Sequence, residues 1–182
     1  MANYIELETG RYPVSQSQIR AENPNTSYPA SFPVPEGFAL VFPSPTPTYD
    51  PITQYVREIA PELTNGKYYQ AFEVLGLEQE QIDTNIANAT AAFIANVTQA
   101  TQSRLDTFAR TRNYDGILSA CTYASSAVPQ FQTEGQYCVN ARDSTWATLY
   151  TLMGQVQAGT TPMPATVEDV MAVLPELVWP PA

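Results

Sequence analysis

The sequence predicts an α+β protein with a small N-terminal β-rich, sandwich-like module over residues 1–76, a long connecting helix over 77–112 and a C-terminal all-α helical domain over 113–182. Three observations predict it. Asn65-Gly66 sits between two β-prone runs, which is the strongest short hairpin signal. From Leu77 to Arg112 apolar residues recur at three- and four-residue steps with no Gly or Pro among them. Beyond Asn113 helical periodicities alternate with capping residues and proline stops.

In chain order, Tyr4 to Glu8 alternates like a short strand and stops at Gly10. Ser15 with Gln18 forms a capping box for a short helix that ends before Pro24. From Pro24 to Pro51 prolines interleave with Tyr28, Phe32, Phe38, Phe42 and Tyr49. Proline removes backbone donors and fixes φ, so this stretch reads as extended chain and turns, with Phe38–Phe42 its one strand. The aromatics have two readings: the core of a small β module, or a face that docks a partner at little cost in chain entropy. Residues 52–59 fit helical spacing behind Asp50-Pro51. The Asn-Gly turn needs a first strand, however, so 54–61 is assigned as strand and 67–75 as its partner.

The long helix carries Ile82, Ile86, Ala89, Phe93, Val97, Leu105 and Phe108 on its apolar stripe. At about 1.5 Å per residue it would run roughly 50 Å. Between Thr84 and Ser103 it has no charged residue, whereas a solvated helix normally carries paired Glu and Lys. It needs a surface to lie on. Packing on the chain's own helices and self-association both satisfy that need, and Ile86, Phe93, Val97, Leu105 and Phe108 are the candidate self-association residues. After it, Asp115 is expected to cap a helix holding Ile117, Leu118, Cys121 and Tyr123 that stops before Pro129. A second helix is expected from near Thr133 to Gly159, and a third opens at Thr166 and Asp169 and breaks at Pro175. The closing Leu177-Val178-Trp179-Pro180-Pro181-Ala182 is apolar throughout.

Composition narrows the function. The net charge of −10 and pI near 4.2 argue against a nucleic-acid surface, which needs clustered cations. Arg104, Arg110 and Arg112 gather only at the end of the long helix, where the carbonyl pole suits them. No run of about twenty apolar residues and no basic, apolar leader is present, so neither a membrane span nor a signal peptide is expected. The sequons at Asn25, Asn88 and Asn96 then read as chance. Cys121 and Cys138 fit a reducing compartment and a packing role, with a disulfide between them the alternative.

Catalytic readings find little to stand on. The chain has no histidine, which removes Ser-His-Asp, Cys-His and His-containing zinc sites. No Gly-rich phosphate loop is present, and two cysteines are too few for a cysteine zinc site. Glu78, Glu80 and Asp83 read as first-turn residues favoured by the helix dipole, as do Glu168 and Asp169. The expectation is no enzyme, no cofactor and no metal. Trp146 and Trp179 read as core or docking anchors rather than carbohydrate platforms.

The passage YDPITQYVREIAPELTNGKYYQAFEVLGLEQEQ, residues 49–81, resembles the N-terminal modules of small proteins encoded beside phage tail fibre genes. The second half is similar to them too, at Arg104–Ala109, Tyr114–Ala120, Ala141–Asp143, Trp146-Ala147, Val156–Gly159 and Leu174–Pro180. The chain thus resembles the phage tail fibre assembly proteins, or tail fibre chaperones. The resemblance implies a non-catalytic protein that binds the distal part of a trimeric fibre in a 3:3 complex and homo-oligomerises on it, with no nucleic-acid or membrane partner. It implies action in the host cell cytoplasm during assembly, with retention on the virion left open. Client contacts are expected from Tyr28, Phe32, Phe38, Tyr49 and Tyr68. The alternative is a permanent tail or baseplate component, a fibre adaptor or tip protein.

Overall fold

A computed structural model describes residues 3–29 and 31–181 and has the mixed α+β architecture that the sequence predicts. The chain divides into two compact units, Met1–Ile86 and Ala87–Ala182. The division falls inside the long helix, about a quarter of the way along it, rather than at either of its ends.

The first unit is one five-stranded sheet in the order β2-β1-β3-β5-β4. Its strands are β1 (Asn3–Glu6), β2 (Val14–Ser15), β3 (Phe38–Phe42), β4 (Gln54–Thr64) and β5 (Lys67–Gly76). All neighbours are antiparallel except β3 and β5, which run parallel. A short helix, α1 (Gln16–Glu22), starts at the Ser15 capping box, whose two reciprocal bonds to Gln18 are both formed. The second layer of the module is therefore helix and loop rather than a second sheet. Ile19 from α1 and Phe32 from the proline-rich loop seal one face against Tyr4 and Val14, with Tyr28, Phe38 and Leu40 around them. Ile5 and Val41, on the opposite face, are buried as well.

The β4–β5 hairpin is the part of this unit most directly dictated by local sequence. Asn65 and Gly66 both take positive φ, 51° and 74°, the pair of conformations a two-residue primed turn requires. Arg57 lies opposite Glu73 in the register and pairs with it. The register shifts between Ile59 and Glu62, and the buried Pro61 sits in that irregularity, where no ladder donor is needed. The first strand ends at Glu6, two residues before the expected Glu8, where the chain turns back through Gly10.

The second unit holds the remainder of α2 (Gln79–Arg110), α3 (Ile117–Thr122), a 3-10 turn (Tyr123–Ser125), α4 (Pro129–Gln157) and α5 (Val167–Val173). Helix α2 is unbroken over its 32 residues. Its core is in two parts. Leu105, Ala109, Ile117, Ala120 and Cys138 form one, and Val97, Leu149, Val170 and Leu174 the other, with Trp146 packed against both. Both cysteines are free thiols, and Cys138 lies within the first cluster.

Two expectations are corrected here. Asp115 does not cap α3; the N-cap position is Gly116, and the donor of Ile117 is accepted by Asp106 Oδ1 of α2 at 2.8 Å. A Cβ on Gly116 would stand 2.7 Å from that same oxygen, so the glycine leaves room for the capping carboxylate. Helix α4 starts at Pro129 rather than near Thr133, because proline at the first helical position forfeits only a donor that has no helical partner.

Gly135 sets the closest approach of α4 to the 3-10 turn. A Cβ there would lie 2.3 Å from the Ala124 backbone nitrogen and 2.4 Å from the Tyr123 carbonyl carbon, so one of the two backbones would have to move. Gly135→Ala is expected to lower stability by about 2 kcal/mol or more despite alanine's better helix propensity. Thermal unfolding followed by circular dichroism checks this, and a melting temperature at or above that of the parent chain would contradict it.

Candidate interaction surfaces

The aromatics expected to grip a partner are distributed unevenly. Tyr28, Phe32 and Phe38 are brought together, but inward. Phe32 is 7% exposed, its ring 5.8 Å from Tyr4 and 5.0 Å from Tyr28, and the Arg20 guanidinium lies over both Tyr28 and Phe32. Phe32 is thus a core residue of the β unit. Tyr49 is separate and exposed, and Tyr68 is half-buried on β5 beside Val41 of β3. The exposed apolar side chains of the hairpin are instead Tyr55, Leu63 and Val74. No sequence pattern marked them, since the apolar residues of 54–64 follow no clean alternation and Val74 lies on the partner strand.

The candidate self-association residues divide in the same way. Val97 and Leu105 are sealed within the helical unit and present nothing to a second copy. Phe93 and Phe108 are half-buried, and Ile86 is exposed. In the second unit an apolar groove of about 140 Å³ runs between α2, α4 and α5, lined among others by Phe93, Ile94, Leu149, Met153 and Val170.

The most elaborate constellation lies where the segment after α5 returns along α2 and α4. The Trp179 ring stacks on Phe108 at 4.3 Å and 17°, with Tyr137 and Tyr114 within about 6 Å as further sides of the box. The Arg112 guanidinium covers Trp179 at 4.9 Å. The segment's backbone is held by side chains. Arg104 Nη2 donates to the Pro175 carbonyl at 2.7 Å, Arg112 Nη2 to that of Pro180 at 3.2 Å, and the Val178 amide donates to Tyr137 Oη at 2.8 Å. Trp179 Nε1 donates to Thr111 Oγ1. The arginines read from sequence as partners of the helix dipole therefore fasten a distant segment, and Arg110 holds the Asp115 carbonyl. Ala182 lies outside the described residues.

Behind Trp179 sits a buried carboxylate. Glu134 is 3% exposed and accepts bonds from Arg112, from Tyr114 Oη at 2.8 Å and from Gln130 Nε2 at 3.1 Å. Burial alone would raise its pKa, but the bonds from Tyr114, Gln130 and Arg112 together outweigh burial and hold it below its ordinary value. Burial and the bond to Glu134 push the Tyr114 phenol up to about 12, so it stays a donor. Burial likewise pushes the Cys138 thiol up to about 12, away from thiolate chemistry. Among the described residues no cluster of metal-ligating side chains occurs, and no helix is long and apolar enough to cross a membrane.

No family model, curated protein or solved structure matches this chain.

Because the folded pKa of Glu134 is lowered, its contribution to stability is present above the unfolded value near 4.5 and is lost as pH falls through the folded one. Glu134→Gln, which leaves Arg112 without its counter-charge, is expected to destabilise the chain by about 3 kcal/mol at neutral pH. The gap between parent and variant should narrow below pH 4.5. Urea unfolding at a series of pH values, read by tryptophan fluorescence, checks both, and a gap independent of pH would contradict the assignment.

Proposed function

We propose that this chain is a non-catalytic assembly chaperone that binds the distal part of a phage tail fibre and assists its folding and trimerisation. The observation that carries the reading is the coincidence of motif and contact in the helical unit. Arg104, Asp106, Gly116, Ile117, Leu174 and Trp179 all belong to the stretches that resemble tail fibre assembly proteins. In this chain they make the cap, the core and the clamp of one unit. A resemblance carried by residues that hold a fold together speaks for a shared helical module.

The β unit supplies what a client would need. It exposes Tyr49, Tyr55 and Leu63 and ends in a long strand at the sheet edge. A fibre rich in long-range strand pairings forms slowly and leaves its edges open meanwhile, and a cover of this kind would shelter them until three chains align. Such work needs neither nucleotide nor catalytic group. It would take place in the host cytoplasm, and a 3:3 complex follows from the symmetry of a trimeric client.

The test is co-expression of the adjacent fibre gene with and without this chain, measuring soluble trimeric fibre. A several-fold rise in trimer is expected, reduced when Tyr55 and Leu63 are both replaced by serine. Light scattering on the co-purified pair should give equal numbers of the two chains in threes. Equal trimer yields with and without the chain would remove the chaperone reading, and a chaperone dimer on one fibre chain would remove the stoichiometry.

A further inference from the structure

We infer that the chain, with no client present, pairs with a second copy of itself through the outer side of β4, in one antiparallel register centred on Val56. The proposal goes beyond the chaperone reading and concerns the isolated protein.

The free edge follows from the register. The Leu77 amide donates to the Thr53 carbonyl at 2.9 Å, and these two residues continue the β4–β5 pairing one step beyond Gln54 and Gly76. In an antiparallel ladder such bonded pairs alternate with unbonded ones. Tyr55, Arg57 and Ile59 therefore bond to β5, while Gln54, Val56 and Glu58 direct their amides and carbonyls away from it. The Gln54 amide is taken by the Asp50 carbonyl at 2.8 Å. The outward groups of Val56 and Glu58 and the Gln54 carbonyl have no hydrogen-bond partner among the described residues.

Natural sheets blunt such edges with proline, bulges and short strands. The opposite edge, β2, is two residues long. In β4 the register shift and Pro61 disrupt the strand beyond Ile59, and Tyr12 of the β1–β2 loop reaches Glu58 there. At the other end the Ile52 carbonyl accepts from Asn85 Nδ2 at 3.1 Å. What stays open is the five-residue stretch Gln54–Glu58, bounded on both sides.

The open backbone groups and the charges beside them fit a second copy in one register. Two copies of one strand pair antiparallel about a two-fold axis that passes through a bonded or an unbonded pair, so the centre is any residue from Gln54 to Glu58. Centring on Glu58 sets two carboxylates directly opposite each other. Centring on Arg57 does the same with two guanidinium groups. Centring on Gln54 or Tyr55 sets Val56 or Glu58 opposite Ile52, whose amide and carbonyl are already taken by Asp50 Oδ1 and Asn85 Nδ2. Centring on Val56 opposes Glu58 to Gln54 and Arg57 to Tyr55, with no like charges facing and a cation beside an aromatic ring. This register alone pairs the free groups of Val56 and Glu58 without opposing like charges, which matters for chains that each carry −10. In it Val56 exchanges both bonds with the second copy's Val56, and each Glu58 amide donates to a Gln54 carbonyl.

Sedimentation of the purified chain across a concentration series should show a reversible rise from 20.0 kDa to twice that mass. Val56→Pro removes only an outward amide, so it should keep the parent's circular dichroism and sediment as a monomer at every concentration. A second variant does not depend on proline being tolerated. Opposed Val56 residues would have Cα atoms about 5.5 Å apart, within disulfide reach, so Val56→Cys should cross-link to a dimer under dissolved oxygen while Thr64→Cys does not. A parent chain that stays monomeric at all concentrations, a folded Val56→Pro that still dimerises, or cross-linking no greater at 56 than at 64 would each overturn the proposal. No fibre is present in these measurements, so their failure leaves the chaperone reading standing, and equal trimer yields on co-expression would leave this one standing.

Discussion

The helical unit depends on one docking event, the return of the segment after α5 onto α2 and α4 with Trp179 as its anchor. Helices α3 and α5 are six and seven residues long, too short to be stable alone. The unit is closed by contacts far apart in sequence. Phe108 and Trp179 stack, Arg104 and Arg112 hold carbonyls of the returning segment, and Glu134 keeps Arg112 in place beneath the indole. The buried Arg112–Glu134 pair adds little net stability by itself, since desolvation offsets most of its attraction. Its value lies in orientation, because the same guanidinium covers the Trp179 ring and donates to Pro180.

The β unit solves a different problem with less material. A single five-stranded sheet has two faces to cover, and here both Tyr4 and Ile5, adjacent in β1, are buried. The proline-rich loop does part of this work by sending Phe32 inward. Its backbone is held at φ 39°, a left-handed conformation that costs an aromatic residue about 1 kcal/mol and is offset by burial of the ring. The aromatics that looked like a sticky face in the sequence are therefore largely the reason the sheet is stable. The large apolar side chains that stay exposed on this unit include Tyr49, Tyr55 and Leu63.

What could be read from the sequence was what local chemistry decides. The Ser15 and Thr166 capping boxes, the Asn65-Gly66 turn and the uninterrupted run of α2 all stand where their residues place them, because each needs only neighbours within a few positions. What could not be read was non-local. The cap of α3 comes from Asp106, eleven residues before Ile117, and three arginines that fit a helix dipole equally well reach carbonyls up to 71 residues away. Alternation in β1 and the apolar run of β3 signalled strands without saying whether helix, loop or a second sheet covers them. For the candidate surfaces, residue type pointed to aromatics, but only the register of β4 against β5 tells which of them face outward.

On the proposed chaperone reading the two units divide the labour, a helical module closed by its own contacts and a β module whose edge is open to strands. In the helical unit it is the Trp179 segment that closes the fold. Amide hydrogen exchange on Trp179→Ala in the full chain tests it most directly. Protection should be lost in α3, in α4 and in α2 beyond Thr101, with β1, β3 and β5 protected as in the parent chain. Unchanged protection in the helices would contradict the claim, as would loss spread equally through the sheet.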